Sequence, residues 1–296
     1  MRAGFLRGCG TALVTPFKSD GALDEKALRD FVNWQVAEGV HYLVPCGSTG
    51  EAATLSAEEH RRVVEITVEA VNGRVPVVAG AGSNDTSKAI AFSREMQAIG
   101  VTHLLHVTPM YNKPPQRALV AHFRAVADSC TLPIVLYNVP GRTAINLEAR
   151  TCIELAADER FVAVKEASGN LAQIAQIIRE RPDGFGVLSG DDSLTLAVYA
   201  HGGDGVISVA SNVTPRLVAE LCETCSRGDF AKAREIDRLL APWLSAAFVE
   251  SNPIPAKAAL AMMNRMENSL RLPLVPLASQ HVDMVRSALQ HVGALS

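Results

Sequence analysis

The chain has no excess of positive charge: 28 lysines and arginines face 31 aspartates and glutamates, for a net charge of -3. With so little basic surface to neutralise phosphates, nucleic acid is not expected as a partner. No apolar run approaches the roughly 18 to 20 residues that span a bilayer, so no membrane partner is expected either. The opening stretch MRAGFLRGCGTALVTPF is broken by Arg7 and glycines, and reads as a first strand rather than a signal peptide. The six cysteines (Cys9, Cys46, Cys130, Cys152, Cys222 and Cys225) are scattered, as expected of reduced thiols in a cytoplasmic protein rather than a disulfide framework. Cys222 and Cys225 form a C-x-x-C, but within a helical pattern and with no second pair, so neither zinc nor redox chemistry is expected there. No G-x-G-x-x-G follows the first strand, which counts against a doubly wound dinucleotide-binding sheet. Aromatics make up 5% of the chain and tyrosines number four, so the position of each tyrosine carries information.

What remains is an ordinary globular composition, 48% hydrophobic and 20% charged. Short β-branched runs alternate with longer amphipathic ones. The expected strands are Thr11–Thr15, Tyr42–Cys46, Val75–Ala79, His103–Thr108, Ile134–Asn138, Phe161–Lys165, Gly186–Ser189 and Gly205–Val209. The helical patterns between them open near Asp24, Ser56 and Asp85 and close on Gly39, Gly73 and Gly100. This alternation predicts an α/β protein, a (β/α)8 TIM barrel over residues 1–228. After Gly228 the strand signal stops, and residues 229–296 read as a small all-helical C-terminal domain punctuated by SNPIP and RLPLVPL.

In such a barrel the chemistry belongs at the C-terminal ends of the strands. Those ends read CGSTGE, TPMYNKPP, YNVPGRT, KEASGN, SGDD and SVASN, and two of the four tyrosines, Tyr111 and Tyr137, fall there. Lys165 ends the apolar run of RFVAVKEASGN and is followed by Glu166. Burial at a barrel mouth favours the free amine, which attacks a ketone and forms a Schiff base. The competing reading is a strand-end lysine paired with Glu166, although adjacent strand residues point to opposite faces. The small residues of GSTGE, with the hydroxyls of Ser48 and Thr49, could direct N–H groups at a carboxylate or phosphate, or form a plain β-α turn. Tyr137 could relay a proton or merely pack. Arg142 could hold a carboxylate bidentately or lie on the surface.

Taken together, GSTGE, TPMYNKP, YNVPGRT, VAVKEASGN, SGDD and ESNPIPAK resemble, in order and spacing, the pyruvate-dependent class I aldolases that include dihydrodipicolinate synthase and N-acetylneuraminate lyase. The resemblance runs from GCGTALVTPF through RLPLVPL, nearly the whole chain. It implies that Lys165 forms a Schiff base with pyruvate. It implies a proton relay of Ser48 or Thr49, Tyr137 and Tyr111, the last serving a neighbouring subunit in a homotetramer built as a dimer of dimers. The Ser48–Thr49 backbone would take the pyruvate carboxylate, and the backbone near Gly190 and Ile207 would line the site. YNVPGRT resembles the synthase branch, in which the arginine, Arg142 here, binds L-aspartate 4-semialdehyde. The sister activity is that of a sugar-acid aldolase or lyase, which lacks that arginine, and a barrel that only binds a metabolite stands outside the enzyme class. The resemblance implies no cofactor and no metal. One departure is Ser48, where synthases usually carry threonine; the hydroxyl remains but the methyl that restricts χ1 is gone.

Many synthases of this kind are inhibited by lysine. The matching positions here are Ala52, Ala53, Ala57, His60, Asn84, Lys88 and Met110. Lys88 would set a cation against a cation, a repulsion of about 1 kcal/mol or more at short range. The expectation is an enzyme insensitive to lysine.

Overall fold

The computed structural model describes residues 4–295. Eight parallel strands form one sheet: β1 (Gly8–Ala12), β2 (Tyr42–Val44), β3 (Val78–Gly80), β4 (His103–Val107), β5 (Ile134–Asn138), β6 (Phe161–Glu166), β7 (Gly186–Ser189) and β8 (Gly205–Ser208). Their order is β2-β1-β8-β7-β6-β5-β4-β3. Every strand is followed by helix before the next begins, the arrangement of the (β/α)8 fold. Beyond Gly228 the described chain holds helices Phe230–Ala246, Ile254–Met262 and Ser279–His291 and no further strand.

The expected helix starts hold. Asp24 accepts from Ala27 N–H, Ser56 and Glu59 form a reciprocal capping box, and Asp85 accepts from Ser87 and Lys88 N–H. The ends of β2, β4, β6 and β8 fall one or two residues from expectation, and two strands start elsewhere. The first lies at Gly8–Ala12 rather than Thr11–Thr15. Its glycines look like a loop in the sequence, but a Cβ on Gly10 would stand 1.9 Å from the Tyr42 ring, so glycine is what lets Tyr42 pack across the pair. The third starts at Val78 rather than Val75, because Pro76 has no N–H to give a ladder.

The described chain separates into two compact units. The first comprises Pro76–Ile207 with the residues up to Gly8. Within it β5 and β6 carry a bulge: Ile134 pairs with Phe161 but Val135 with Ala163, so Val162 is an extra residue. Above the bulge Tyr137 lies opposite Lys165, and Asn138 opposite Glu166. The strands are buried along their length, as their near-continuous apolar runs require.

The second unit comprises Cys9–Val75 with Ser208 onward. Several of its buried polar groups are joined in one network. Gln35 Nε2 donates to the carbonyls of Ser211 (3.1 Å) and Asn212 (3.0 Å), and Thr11 Oγ1 donates to Gln35 Oε1 (2.8 Å). Asn212 bonds Ala12 O (2.7 Å) and Val14 N–H (3.0 Å) through its amide. The fully buried Trp243 anchors helix Phe230–Ala246 by donating to Ala210 O at 3.1 Å.

Candidate active site

In the first unit the end of β6 sets the geometry. Lys165 is 5% exposed, and its Nζ lies 4.3 Å from the centroid of the Tyr137 ring, itself 6% exposed. The register above the bulge places the two side by side. The contact sets the lysine head over the face of the ring. Gly190, after β7, leaves room for the lysine stem: a Cβ there would meet Lys165 Cγ and Cε at 3.1 Å and Ala167 Cβ at 2.6 Å. Ile207 on β8 is fully buried.

Glu166 does not pair with Lys165. Its carboxylate accepts from Asn138 Nδ2 at 3.1 Å to both oxygens, from Gln173 Nε2 at 3.0 Å and from Ser168 N–H at 2.8 Å. Alternation along the strand turns these two neighbours apart. These bonds tie the ends of β5 and β6 to helix Leu171–Glu180.

Arg142 lies on the short helix Pro140–Thr143 directly after β5 and is exposed. The turn is fixed through its neighbour: Thr143 Oγ1 donates to Val139 O (3.2 Å) or Ile145 O (3.0 Å), and Thr108 Oγ1 donates to it at 3.2 Å. Tyr111 is 88% exposed and holds a left-handed backbone, φ 72°. That conformation is costly for a tyrosine, so the loop holds the ring out by constraint.

In the second unit Ser48–Gly50 forms a single 3-10 turn soon after β2. Ser48 is exposed and Thr49 is buried. Asn252 Nδ2 donates to Thr49 Oγ1 at 2.9 Å, and Thr15 Oγ1 donates to Gly50 O at 2.7 Å. Glu51 ends the turn in the left-handed region, φ 54°. Its carboxylate pairs with Lys257, and both side chains are fully buried.

The structure thus brings Lys165, Tyr137 and Gly190 together, carries Arg142 on the adjacent turn, and leaves Tyr111 directed away from its own chain's packing. Sequence reading assigned nothing to Asn138, Glu51 or Lys257. For Lys257 a signal existed: it is the single charge in the otherwise apolar helix Ile254–Met262. Among the described residues no group of three or more His, Cys, Asp or Glu is placed to hold a metal ion, and no helix is long and apolar enough to cross a membrane.

Comparison with known proteins identifies the family. The model of the Dihydrodipicolinate synthetase family fits residues 5–292. The 4-hydroxy-tetrahydrodipicolinate synthase of Koribacter versatilis is 49% identical over 290 residues, covering 98% of this chain and 95% of that one. The solved dihydrodipicolinate synthase of Thermotoga maritima superposes with a TM-score of 0.97 at 42% identity, over 98% of this chain and all of the other (100%). The chloride-inhibited dihydrodipicolinate synthase of Acinetobacter baumannii, solved in complex with pyruvate, gives 0.96 at 38% identity, over 98% and 99%. The chain belongs to the dihydrodipicolinate synthetase family, enzymes of the lyase class with an aldolase-type reaction.

Proposed function

We propose that the chain is a 4-hydroxy-tetrahydrodipicolinate synthase, condensing pyruvate with L-aspartate 4-semialdehyde through a Schiff base on Lys165. The observation that carries this reading is a buried lysine at the end of β6 whose head lies over Tyr137, with the neighbouring carboxylate engaged elsewhere. Lys165 Nζ attacks the keto carbon of pyruvate and water leaves, giving the imine. Loss of a methyl proton gives the enamine, whose carbon bonds to the aldehyde carbon of the semialdehyde while the aldehyde oxygen takes up a proton. The amine of the bound semialdehyde then attacks the imine carbon, displaces Lys165 and closes the ring. Tyr137 relays protons together with the Ser48 or Thr49 hydroxyl, the Ser48–Thr49 turn takes the pyruvate carboxylate, and Arg142 grips the carboxylate of the second substrate. Gly190 and Ile207 line the site. Tyr111, exposed and held outward, serves the site of a neighbouring subunit in a homotetramer. Six free thiols, five of them buried, suit a cytoplasmic location. The exposed Lys88, with Ala57 and Met110 at two of the other matching positions, supports insensitivity to lysine.

The test is to reduce the protein with borohydride in the presence of pyruvate and map the adduct, then to compare consumption of aspartate semialdehyde with that of N-acetylmannosamine. An adduct on Lys165 and turnover of the semialdehyde are expected, with Arg142→Ala crippling that turnover. Turnover of the sugar instead, unaffected by Arg142→Ala, would move the chain to the lyase branch. Micromolar inhibition by L-lysine would refute the insensitivity.

A further inference from the structure

A second lysine is buried more completely than Lys165, and the reaction does not use it. Lys257 is 0% exposed, in the middle of helix Ile254–Met262. Its Nζ pairs with Glu51, donates to Ser269 O at 2.8 Å and lies 4.2 Å from the centroid of the Phe17 ring. The Arg271 guanidinium meets the same ring at 4.2 Å, and Arg271 N–H donates to Glu51 Oε2 at 3.2 Å. Burial and the nearby guanidinium pull the Lys257 pKa down to about 8, against the opposing pull of Glu51.

Such a pair is a poor device for stability alone, since the cost of desolvating both charges consumes most of the attraction. Its position suggests another use. Glu51 is the last residue of GSTGE, and its left-handed backbone closes the turn formed by Ser48, Thr49 and Gly50. A non-glycine residue stays in that region only when its surroundings over-determine it. Here the side chain is pinned by Lys257 and by Arg271 N–H, while Glu51 N–H bonds back to Ser48 O at 3.2 Å. At the cis Asn252–Pro253 peptide bond that leads into the helix, the Asn252 side-chain amide holds the Thr49 hydroxyl. Residues 252–257 therefore grip the GSTGE turn at two points, residues 49 and 51.

We propose that Lys257, through Glu51, is a positioning residue for pyruvate: the buried pair, with Asn252 on Thr49, holds the GSTGE turn in the shape that receives the pyruvate carboxylate. This rests on the reading that the turn binds that carboxylate. The pair touches no substrate. It acts by fixing the N–H groups and the Thr49 hydroxyl before pyruvate arrives, so its loss should weaken pyruvate binding selectively.

The test uses the full-length protein and two variants. Lys257→Met alone strands the Glu51 carboxylate and is prone to misfold, so the main variant is Lys257→Met/Glu51→Gln, which removes both charges and keeps an acceptor for Arg271 N–H. Asn252→Ala is the second. Steady-state kinetics are measured in both substrates, with borohydride trapping over a pyruvate titration and peptide mapping. The expected result is a pyruvate KM, and a half-saturating pyruvate concentration for trapping, raised at least tenfold. The KM for aspartate semialdehyde should stay within twofold, and kcat should fall less than threefold. Equal movement of both KM values, or a pyruvate KM unchanged in the folded double variant, would overturn the positioning role while leaving the Lys165 reading intact. A wild-type protein with no adduct on Lys165, or with the adduct on Lys257, would overturn both.

Discussion

Glu166 offers the sharpest test of how the site is held. Its carboxylate is 1% exposed and collects donors from three residues, Asn138, Gln173 and Ser168. Two opposing effects must be weighed for Glu166→Gln. Removing a buried charge relieves a desolvation cost of several kcal/mol, which can make such replacements neutral or stabilising. Against this, a neutral amide offers one oxygen to donors that now share two. A bond to a charged acceptor contributes about 1.5–3 kcal/mol and one to a neutral acceptor about 0.5–1.5, so weakening two bonds costs about 2 kcal/mol. The new amide hydrogens would face either Ser168 N–H or the amides of Asn138 and Gln173, and a buried donor without an acceptor costs about 1–3 kcal/mol more. Asn138 and Gln173 retain second acceptors in Asn146 Oδ1, at 2.8 and 3.2 Å, which keeps the loss at the low end. The desolvation relief is already contained in the net difference between charged and neutral bonds, so the two costs, about 2 and about 1 kcal/mol, leave an expected loss of about 3 kcal/mol. At roughly 2–4 °C per kcal/mol, Tm should fall by about 6–12 °C in calorimetry. The clamp also sets the β5–β6 register that brings Tyr137 to Lys165, so borohydride trapping with pyruvate should slow at least fivefold. A variant with Tm within about 2 °C of the parent and an unchanged trapping rate would refute the reasoning.

Gly190→Ala places a methyl against Lys165 Cγ and Cε and Ala167 Cβ; overpacking of about 1–3 kcal/mol and a tenfold drop in trapped adduct are expected, measured by thermal melting and mass spectrometry. Arg271 holds the Glu59 carboxyl down at about 2, so the stabilisation by this pair is fully present above pH about 4.5 and is lost as pH falls toward about 2. The Tm gap between the parent and Glu59→Gln should therefore be constant at neutral pH and close over that acid range; a gap that widens on acidification would contradict the pairing. Trp243→Ala empties a fully buried indole site and frees Ala210 O of its donor, so chemical denaturation should register a loss of about 3–5 kcal/mol.

The sequence singles out Lys165 as a candidate, because a charge at the end of an apolar run is rarely kept there without a use, but the run alone does not separate a nucleophile from a strand-end lysine. The helix caps at Asp24, Ser56 and Asp85 were equally legible, since each is a local pattern of side chain and backbone. What escaped detection depends on partners far apart in the chain. Gly10 looks like a loop residue until Tyr42 packs across it. Lys257 stands out as the single charge of an apolar helix, but its partners Glu51 and Phe17 emerge only in the fold. Asn138 and Glu166 each stand one residue beyond a candidate catalytic group, and their joint role emerges only from strand register.

The extra residue at Val162 has a consequence of its own. Below it, β6 matches β5 on one in-out count; above it, on another. The strand is in effect two segments with a joint between them. Core substitutions at Phe161 can drift in size without dictating which side Lys165 takes, because the joint absorbs the mismatch before it reaches the chemistry. An insertion or deletion at the base of β6 should accordingly be better tolerated than one between Ala163 and Glu166, where no slack remains. For anyone re-engineering this scaffold, the joint marks how far up the strand the foundations can be altered while the working end stays in place.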